Sequence, residues 1–291
     1  IIVGGGFAGL AAGIYGQMNG YATEIFEMHD KPGGLCTSWE RKGYTIDACI
    51  HWLVGSNPRS SFYDTWKEVG LLPGREFTDM DLYLRYEAAD GRVVNFYCDI
   101  DRLEKHLVEF SPADERAIKD FTDAIRMVLV FDTSGKEAPF LSRLGEKAAI
   151  GWAMAVKGRK MTQWMKTTII DFVARLKDPV LKEAFREIWI PEFSLFFMLF
   201  AFAWLHKRNA GYPRGGSMPL SRALEEKYLK LGGKIHYKSK VEKILTLNGK
   251  ATGVVLADGT EHLAGRVISA ADGHTTIFKM LEGKYVSPQI R

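Results

Sequence analysis

The chain has 291 residues, of which 39 are Lys or Arg and 35 are Asp or Glu, and its formal net charge is +4. Its 46% of apolar and 25% of charged residues are ordinary globular values, which exclude disorder, collagen-like repeats and a coiled coil. The charge is too small for this length to indicate nucleic acid, and no apolar run reaches the ~18 residues that a membrane-spanning helix needs.

The three cysteines, Cys36, Cys49 and Cys98, have no paired spacing. An odd count of this kind argues against a disulfide framework and a zinc site and favours a reducing compartment, which predicts a cytoplasmic protein. The chain begins without Met inside an apparent strand, and it stops at residues 286–291 without a closing element. We therefore expect it to be a piece of a longer protein.

The first residues predict a strand, a glycine loop, a helix and a second strand in direct succession. Ile1–Val3 is a short β-rich run, and Gly4–Gly9 after it has the pattern G-x-G-x-x-G. Residues 10–19 carry apolar side chains at helical spacing, and a second apolar run, Ala22–Phe26, ends in Glu27. This order is typical of a dinucleotide-binding fold.

The three glycines that define the G-x-G-x-x-G pattern each have a distinct physical role. Gly4 permits the tight turn, Gly6 lets the backbone approach a pyrophosphate, and Gly9 lets helix and strand pack closely. The start of the helix offers N–H groups and the positive end of its dipole to phosphates. Glu27 is placed to accept hydrogen bonds from a ribose, and it would repel a 2′-phosphate. The candidate cofactor-binding residues of this segment are Gly4, Gly6, Phe7, Ala8, Gly9 and Glu27.

A glycine pair, Gly33-Gly34, follows Glu27 and is not needed by a plain NAD-binding fold. It predicts a second backbone turn that approaches the same cofactor. This arrangement resembles the large flavoprotein group that contains phytoene desaturases, carotenoid isomerases, retinol saturases and amine oxidases. The resemblance implies an FAD cofactor that Gly33, Gly34 and Leu35 help to bind. Many members of the group have Arg directly after the pair, so Leu35 removes one contact.

The next segments predict strands and one catalytic candidate. Tyr44–Asp47 is predicted to be a strand, and the stretch that follows it, Ala48–Gly55, lies near the flavin ring in the resembling family. His51 in this stretch is a weak catalytic candidate that would donate a hydrogen bond or a proton, and the alternative is a packed histidine in an apolar turn. Leu82–Glu87 and Arg92–Cys98 predict a β-hairpin.

Residues 101–207 are predicted to be almost entirely helical. Ser111–Asp114 predicts an N-cap with Pro in the first turn, and Asp178-Pro179 begins another helix. The segment Phe193–Leu205 has Ser194 as its only polar residue. It predicts a buried core helix, the wall of a hydrophobic substrate tunnel, or a helix that dips into a membrane surface. Basic residues upstream would assist membrane contact; they are Lys157, Arg159, Lys160 and Lys166.

From Gly211 onward the pattern returns to mixed strands and helices. Gly215-Gly216 leads into a helix, and Asn248-Gly249 and Asp258-Gly259 predict the turns of a β-meander within Val241–Leu263. A last strand leads to a turn of small residues and Asp at positions 270–272.

The resemblance also implies roles for residues in this region. The backbone of Val241 would hold the adenine end of FAD, and Ala271 and Asp272 would lie at the flavin-proximal face. The alternative for Asp272 and His274 is a turn in which Asp satisfies local N–H groups. The family's late Gly-Asp segment, which binds the flavin phosphate and ring, does not occur in this chain, and we expect it beyond Arg291.

The resemblance implies an α/β fold, a Rossmann-like FAD-binding domain with an inserted, largely helical α+β substrate domain. We assign residues 1–75 and 211–291 to the FAD-binding domain and 76–210 to the substrate domain. The expected function is that of an FAD-dependent oxidoreductase, a desaturase, saturase or isomerase that exchanges hydride with an apolar polyene or another lipid-like substrate. Peripheral membrane contact is one of the alternatives that the segment Phe193–Leu205 leaves open, and neither nucleic acid nor metal is expected.

Two other functions remain open. Rab GDP-dissociation inhibitors and escort proteins resemble the same fold and bind prenylated proteins without catalysis, although the intact Glu27 and Gly33-Gly34 argue for cofactor binding. A nicotinamide-only dehydrogenase would explain the first glycine loop, but not the second glycine pair or the meander that begins at Val241.

Overall fold

The computed structural model describes residues 1–47, 49–72, 74–129 and 158–290. Its backbone contacts divide the chain into two compact units. The first unit consists of Ile1–His51, Thr65–Glu76 and Pro213–Arg291, and the second of Trp52–Asp64 and Phe77–Tyr212. The chain thus passes from the first unit into the second and back twice. Residues 52–64, which the sequence-based boundaries assign to the FAD-binding domain, have their contacts in the second unit.

The secondary structure alternates short strands with helices of eight to fourteen residues in most cases. The strands are Ile2–Val3, Glu24–Phe26, Ser38–Arg41, Tyr44–Asp47, Leu53–Val54, Phe77–Thr78, Leu82–Glu87, Val93–Tyr97, Ala210–Pro213, Lys234–His236, Val241–Leu247, Lys250–Leu256, Glu261–Leu263 and Ile268–Ser269. The α-helices are Phe7–Met18, Ser61–Glu68, Ile100–Phe110, Glu115–Val128, Ile169–Val173, Pro179–Arg186, Leu195–His206 and Ser217–Lys230, with a 3₁₀ turn at Pro112–Asp114 and a π-helical turn at Thr275–Met280. Residues 158–166 are also helical.

A four-stranded parallel sheet forms the centre of the first unit. Its order is Lys234–His236, Glu24–Phe26, Ile2–Val3 and Ile268–Ser269, so the first strand of the chain lies inside the sheet. Because the carboxyl ends of parallel strands meet at one edge, the residues that follow these strands are brought together there. This edge therefore collects the predicted cofactor-binding residues.

The helices Phe7–Met18 and Ser217–Lys230 pack closely because one of them has no side chain at the crossing point. A Cβ atom on Gly13 would lie 2.6 Å from the ring of Tyr228, which is fully buried. The Tyr228 hydroxyl donates a hydrogen bond of 2.8 Å to the carbonyl of Thr23, so the phenol is both packed and hydrogen-bonded.

The predicted β-meander is confirmed. Val241–Leu247 pairs with Lys250–Leu256, which pairs with Glu261–Leu263, all antiparallel. Asn248 and Gly249 both have positive φ, 50° and 74°, which is the backbone of the tight hairpin turn that this dipeptide favours. The buried side of the meander forms one apolar cluster with the parallel sheet; its members include Val3, Phe26, Val241, Ile244, Val254 and Leu256.

The second unit is built around interlocking aromatic rings. Phe121 contacts Phe172, Phe185 and Phe202 at centroid distances of 5.5, 5.4 and 6.0 Å, and Phe96 contacts Phe185 at 5.1 Å. All five rings are fully buried. The hairpin Leu82–Glu87/Val93–Tyr97 and the surrounding helices enclose them, as the sequence predicts for a mainly helical insert.

Of the two predicted helix caps, the one at Asp178 forms and the one at Ser111 does not. Asp178 caps its helix as expected, since its carboxylate accepts hydrogen bonds from the amides of Val180 and Leu181 at 2.8 and 2.9 Å. Ser111 precedes a 3₁₀ turn, but its hydroxyl makes no cap and donates to the buried carboxylate of Asp114 at 2.8 Å. The Ser111 hydroxyl thus acts as a donor to a side chain and does not accept the backbone N–H of the predicted cap.

The apolar segment 193–205 forms most of the helix Leu195–His206, and its contacts are those of a core helix. Seven of its side chains are buried: Leu195, Met198, Leu199, Ala201, Phe202, Ala203 and Leu205. Three half-buried rings also contact one another along this helix: Phe196 meets Phe200 edge to face with a centroid distance of 5.0 Å, and Phe200 meets Trp204 at 5.6 Å. Among the residues that the structure describes, no helix is long and apolar enough to cross a membrane.

Candidate functional site

The first glycine turn joins the first strand to the first helix at the carboxyl edge of the sheet. Gly4 has a φ of +98°, which only glycine adopts readily, and its amide donates to the carbonyl of Phe26 at 2.9 Å. Gly6 is the N-cap, and the first intrahelical hydrogen bond runs from Leu10 N to Gly6 O at 2.9 Å. The amides of residues 7–9 precede that bond, and the first turn of the helix holds no acidic residue. Its positive dipole end is thus available to an anion.

Gly9 allows the helix to lie directly against this turn. A Cβ atom at Gly9 would collide with the carbonyl oxygen of Gly4 and would come within 3.3 Å of the Cβ atom of Ala270. The packing role predicted for Gly9 therefore has a clear steric basis.

The second glycine turn lies alongside the first. The amide of Gly33 donates to the carbonyl of Gly5 at 2.9 Å, and Gly6 and Gly33 form an isolated parallel bridge. Gly33 and Gly34 have φ values of +113° and +60°, and a Cβ atom on Gly34 would approach Gly6 Cα to 3.2 Å. The next side chain, Leu35, is 91% exposed. Two backbone turns without side chains therefore form a cradle that fits the pyrophosphate of a dinucleotide.

Glu27 is buried beside this cradle, and its carboxylate has two backbone partners that the sequence did not predict. Its Oε2 atom accepts a hydrogen bond of 2.6 Å from Gly5 N, and its Oε1 atom accepts one of 2.8 Å from His29 N. The carboxylate thus holds the first glycine turn in place. Each carboxylate oxygen has a second acceptor position, so Glu27 can also accept from ribose hydroxyls.

The segment that leads into the first meander strand lies next to Glu27. Val241 is buried in the same apolar cluster as Phe26, and the amide of Ser239, two residues before it, donates to the carbonyl of Glu27 at 2.8 Å. The backbone that leads into Val241 is thereby fixed against the acid, on the side of the site where the resemblance implies the adenine end of FAD.

The last strand ends beside the first glycine. Ala270 N donates to Val3 O at 2.9 Å, and a Cβ atom on Gly4 would lie 3.5 Å from Ala271 N. Asp272, the next residue, is exposed, and its Oδ1 atom accepts from Thr275 N at 2.7 Å. That hydrogen bond lowers the pKa of Asp272 below its ordinary value. Its carboxylate therefore serves the local turn, which was one of the two interpretations of the sequence.

The predicted residues thus fall into two groups. The two glycine turns, Glu27 and the backbone of Ala271 are brought together at one edge of the sheet. His51 belongs to neither turn; it is exposed, and its catalytic role stays a prediction. Ala48, in the same predicted flavin-proximal stretch, lies outside the described residues.

Asp47 is a structural residue of the site that sequence reasoning missed. The helix Ser217–Lys230 begins after Gly216, which has no side chain to cap it, and Asp47 supplies the cap. Its Oδ1 atom accepts from the Ser217 hydroxyl at 2.7 Å, and its Oδ2 atom accepts from the Ser217 amide. Partial burial alone would raise the pKa of Asp47, but the hydrogen bonds from Ser217 and Cys49 lower it. No local signal predicts a cap from a residue so distant in sequence.

Comparisons with known proteins agree with this geometry. The family described as flavin containing amine oxidoreductase matches residues 7–276. The chain is 30% identical over 282 residues to a phytoene desaturase (lycopene-forming) from a Paracoccus species, covering 94% of this chain and 54% of that protein. It is 25% identical over 309 residues to prolycopene isomerase 2, chloroplastic, from an Oncidium hybrid cultivar, covering 97% and 49%. The chain spans about half the length of the curated relatives it matches.

Solved structures support the fold. An oxidoreductase from Methanosarcina mazei aligns with 99% of this chain and 62% of its own, with a TM-score of 0.61 and 20% identity. A Rab GDI from Plasmodium falciparum aligns with 92% of this chain and 64% of its own, with a TM-score of 0.51 and 9% identity. Likenesses at these identities concern the fold alone. The predicted fold, a Rossmann-like FAD-binding domain with an inserted helical domain, is confirmed.

Proposed function

We propose, from the premise that this chain belongs to the family of flavin-containing amine oxidoreductases, that it is part of an FAD-dependent oxidoreductase that acts on an apolar polyene or another lipid-like substrate. Family membership confirms the predicted cofactor, FAD. The observation that carries the proposal is the pair of glycine turns joined by the hydrogen bond from Gly33 N to Gly5 O beside the buried Glu27.

In this proposal the chain's own residues bind and orient the cofactor. The amides of Phe7, Ala8 and Gly9 donate to its pyrophosphate at the positive end of the helix. The Glu27 carboxylate accepts from the ribose, and the backbone of Val241 holds the adenine end. When bound, FAD supplies the two-electron chemistry, a hydride exchange with the substrate.

Only a few residues of this chain are proposed to lie near the flavin ring. Ala271 and Asp272 follow the last strand, and the Asp272 carboxylate orders the turn there. Leu35 presents an exposed apolar side chain directly after the second glycine turn. His51 is the candidate for a proton donor, and no further catalytic residue is assigned.

The substrate class rests on the relatives. Phytoene desaturases and prolycopene isomerases are named for apolar polyenes, so a polyene or a similar lipid is the proposed substrate here. Desaturase, saturase and isomerase activities all fit a flavin that exchanges hydride with such a molecule.

The first test is the visible spectrum of the full-length protein. We expect the absorbance of an oxidised flavin, and we expect chromatography of the denatured protein to release FAD. A colourless protein that does not bind added FAD would contradict the proposal. Retention of a prenylated protein without flavin would favour the GDP-dissociation-inhibitor alternative, and saturation by NAD(H) but not by FAD would favour a nicotinamide-only dehydrogenase.

We also propose that the protein is cytoplasmic and that it contacts a membrane peripherally. Large apolar side chains are exposed together on the second unit; they are Met165, Ile170, Ile190, Phe193 and Phe197. Hydrogen bonds join their segments, from Ile169 N to Phe193 O and from Ser194 Oγ to Met165 O. Arg159, Lys160 and Lys166 are exposed on the adjacent helical residues 158–166, whereas Lys157 lies outside the described residues. Apolar side chains with a basic border favour an anionic lipid surface.

The double substitution Phe193→Ser/Phe197→Ser is expected to weaken sedimentation of the protein with vesicles that contain anionic lipid. The two rings are 52% and 41% exposed, so their loss removes insertable apolar surface without opening a core cavity. Leu263→Ser is the matched control, because Leu263 is 77% exposed on the first unit, outside this patch. Equal sedimentation of all three proteins would exclude the patch as a membrane-binding surface.

A further inference from the structure

A small cavity lies in the second unit, where the apolar helix Leu195–His206 ends. Its volume is about 280 Å³. One side of that helix forms its floor, the end of the helix Glu115–Val128 forms one wall, and residues 57–60 form another. None of the predicted cofactor-binding residues lines it, and neither do the exposed apolar residues that are proposed to contact a membrane. The cavity therefore belongs to neither of the sites already described.

The floor of the cavity is aromatic. Phe200 and Trp204 lie about one helical turn apart with ring centroids separated by 5.6 Å, and both residues are half-buried. Val128 and Leu129 add aliphatic side chains from the neighbouring wall. The flat apolar body of a ligand can pack against such rings. Because a cavity of about 150 Å³ holds benzene, this one fits a single substituted ring and is too small for a long polyene.

Two cationic side chains border the cavity. The Lys207 ammonium donates a hydrogen bond of 2.7 Å to the carbonyl of Leu129, which also lines the cavity, and this leaves two further N–H donors. Arg59 lines another wall, where its backbone amide donates to Asn57 Oδ1 at 3.0 Å and its side chain is exposed. Within the described part of the chain, no acidic side chain lines the cavity, so no lining carboxylate compensates the two charges.

Two buried polar residues also line the cavity. Asn209 and Ser60 are each 8% exposed, and Asn209 Nδ2 donates to Ser60 Oγ at 3.2 Å. The amide of Asn57 donates to Asn209 Oδ1 at 3.4 Å, so the side-chain oxygen of Asn209 is occupied. No hydrogen bond between described residues uses the hydroxyl proton of Ser60, which can therefore be donated to a ligand. Donors thus predominate among the polar groups that remain available, as an anion requires.

The ends of the two helices act against an anion, but the side-chain charges outweigh them. A helix C-terminus carries roughly half a negative charge, so two such ends offset about one of the two positive charges. Some of their carbonyl groups are also occupied. Leu129 O accepts from Lys207 Nζ, as described above. Trp204 O accepts from Asn209 N at 2.8 Å. We therefore expect a positive potential in the cavity.

We propose that this cavity binds a small aromatic carboxylate. Arg59 and Lys207 bind the carboxylate group, and the Ser60 hydroxyl donates a third hydrogen bond. The ring of the ligand packs against Phe200 and Trp204. Recognition needs both parts of the molecule, because the cations alone would bind any anion and the rings alone would bind any apolar compound. The proposal does not rest on the proposed function.

The test is a calorimetric titration of the full-length protein with benzoate at neutral pH. We expect saturable binding of one benzoate per chain, and we expect benzamide, its neutral analogue, to bind at least about tenfold more weakly. Acetate, which has the carboxylate without the ring, should also bind at least about tenfold more weakly. The absence of saturable binding, or equal binding of either comparison compound, would overturn the proposal. Tighter binding of octanoate than of benzoate would overturn it in favour of a fatty acid.

Arg59→Gln tests whether benzoate binds in this cavity. Because the Arg59 side chain is exposed, the variant is expected to fold normally and to bind benzoate about tenfold more weakly, with the weak binding of benzamide unchanged. Arg186→Gln is the matched control, since Arg186 is an exposed arginine of the same unit that does not line the cavity. Wild-type benzoate affinity in Arg59→Gln would place the benzoate elsewhere and overturn the proposal. A protein that binds benzoate with this dependence on Arg59 but binds no FAD would contradict the proposed function alone.

Discussion

Gly6→Ala is expected to fold like the wild-type protein and to lose most of its affinity for FAD. Gly6 has ordinary backbone angles, with φ at −72° and ψ at 179°, so alanine adopts them without strain. The nearest atoms to an added Cβ are the Gly33 carbonyl oxygen at 3.7 Å and Gly34 Cα at 3.8 Å, which are normal contacts. The new methyl group would therefore occupy the space between the two glycine turns, where the proposed pyrophosphate approaches the backbone.

The expected loss is about a hundredfold in the FAD dissociation constant, which corresponds to ~2.8 kcal/mol. Fluorescence titration of the cofactor-free protein with FAD measures it, and circular dichroism checks the fold. Gly265→Ala is the matched control, because an added Cβ there meets no atom within 4 Å and the residue lies in the same unit. Unchanged FAD affinity in Gly6→Ala would remove Gly6 from the cofactor site.

Gly9→Ala shows why Gly6 is the better test of binding. A Cβ at Gly9 collides with the Gly4 carbonyl, and neither backbone segment can move without opening the packing of helix on strand. Loss of FAD from that variant would report a disturbed fold, whereas the same loss in Gly6→Ala reports the contact itself.

The parts of the fold that could be predicted have local causes. The glycine loop, the helix after it and the Asn248-Gly249 turn are each specified by a few adjacent residues, and the structure forms all of them. A two-residue hairpin turn of type I′ needs positive φ at both positions, and Asn-Gly adopts that conformation at low cost.

The turn of the hairpin of residues 38–47 also has positive φ at both positions, but its two residues do not predict a turn as clearly. Its turn is Lys42-Gly43, with φ values of 51° and 80°, and lysine is an unusual residue at a position with positive φ. Only its second strand, Tyr44–Asp47, was predicted. Without the partner strand, the register that pairs Ser38 with Asp47 could not be predicted.

Contacts between distant segments could not be predicted at all. Asp47 caps the helix that begins at Ser217, and Gly33 leaves room for Ser221, because the sheet and its two helices bring these segments together. The role of the apolar segment 193–205 was ambiguous for a related reason. A short apolar run is compatible with a core, a tunnel or a membrane surface, and the aromatic side chains that cover it come from other helices.

Glu27→Gln is expected to lower both the stability of the cofactor-free protein and its affinity for FAD. The two carboxylate oxygens accept from Gly5 N and His29 N in a buried position. Glutamine has one oxygen and one NH2 group, so one of the two backbone N–H groups would face another donor. A buried donor left without an acceptor costs about 1–3 kcal/mol, and hydrogen bonds to a charged acceptor are the stronger ones. We expect the free energy of unfolding to fall by about 2–3 kcal/mol.

Glu24→Gln is the matched control, because Glu24 begins the strand that ends one residue before Glu27. Glu24 accepts from Lys234 Nζ at 3.1 Å and contacts His236 Nε2 at 2.8 Å, but its side chain is 38% exposed and salt bridges at such sites contribute about 0–1 kcal/mol. Urea unfolding of both variants without FAD measures the structural effect, and FAD titration measures the effect on binding. Wild-type stability in Glu27→Gln with weakened FAD binding would mean that the carboxylate serves the ribose alone. Lower stability with wild-type binding would mean that Glu27 only holds the glycine turn, and the ribose contact would have to come from another residue.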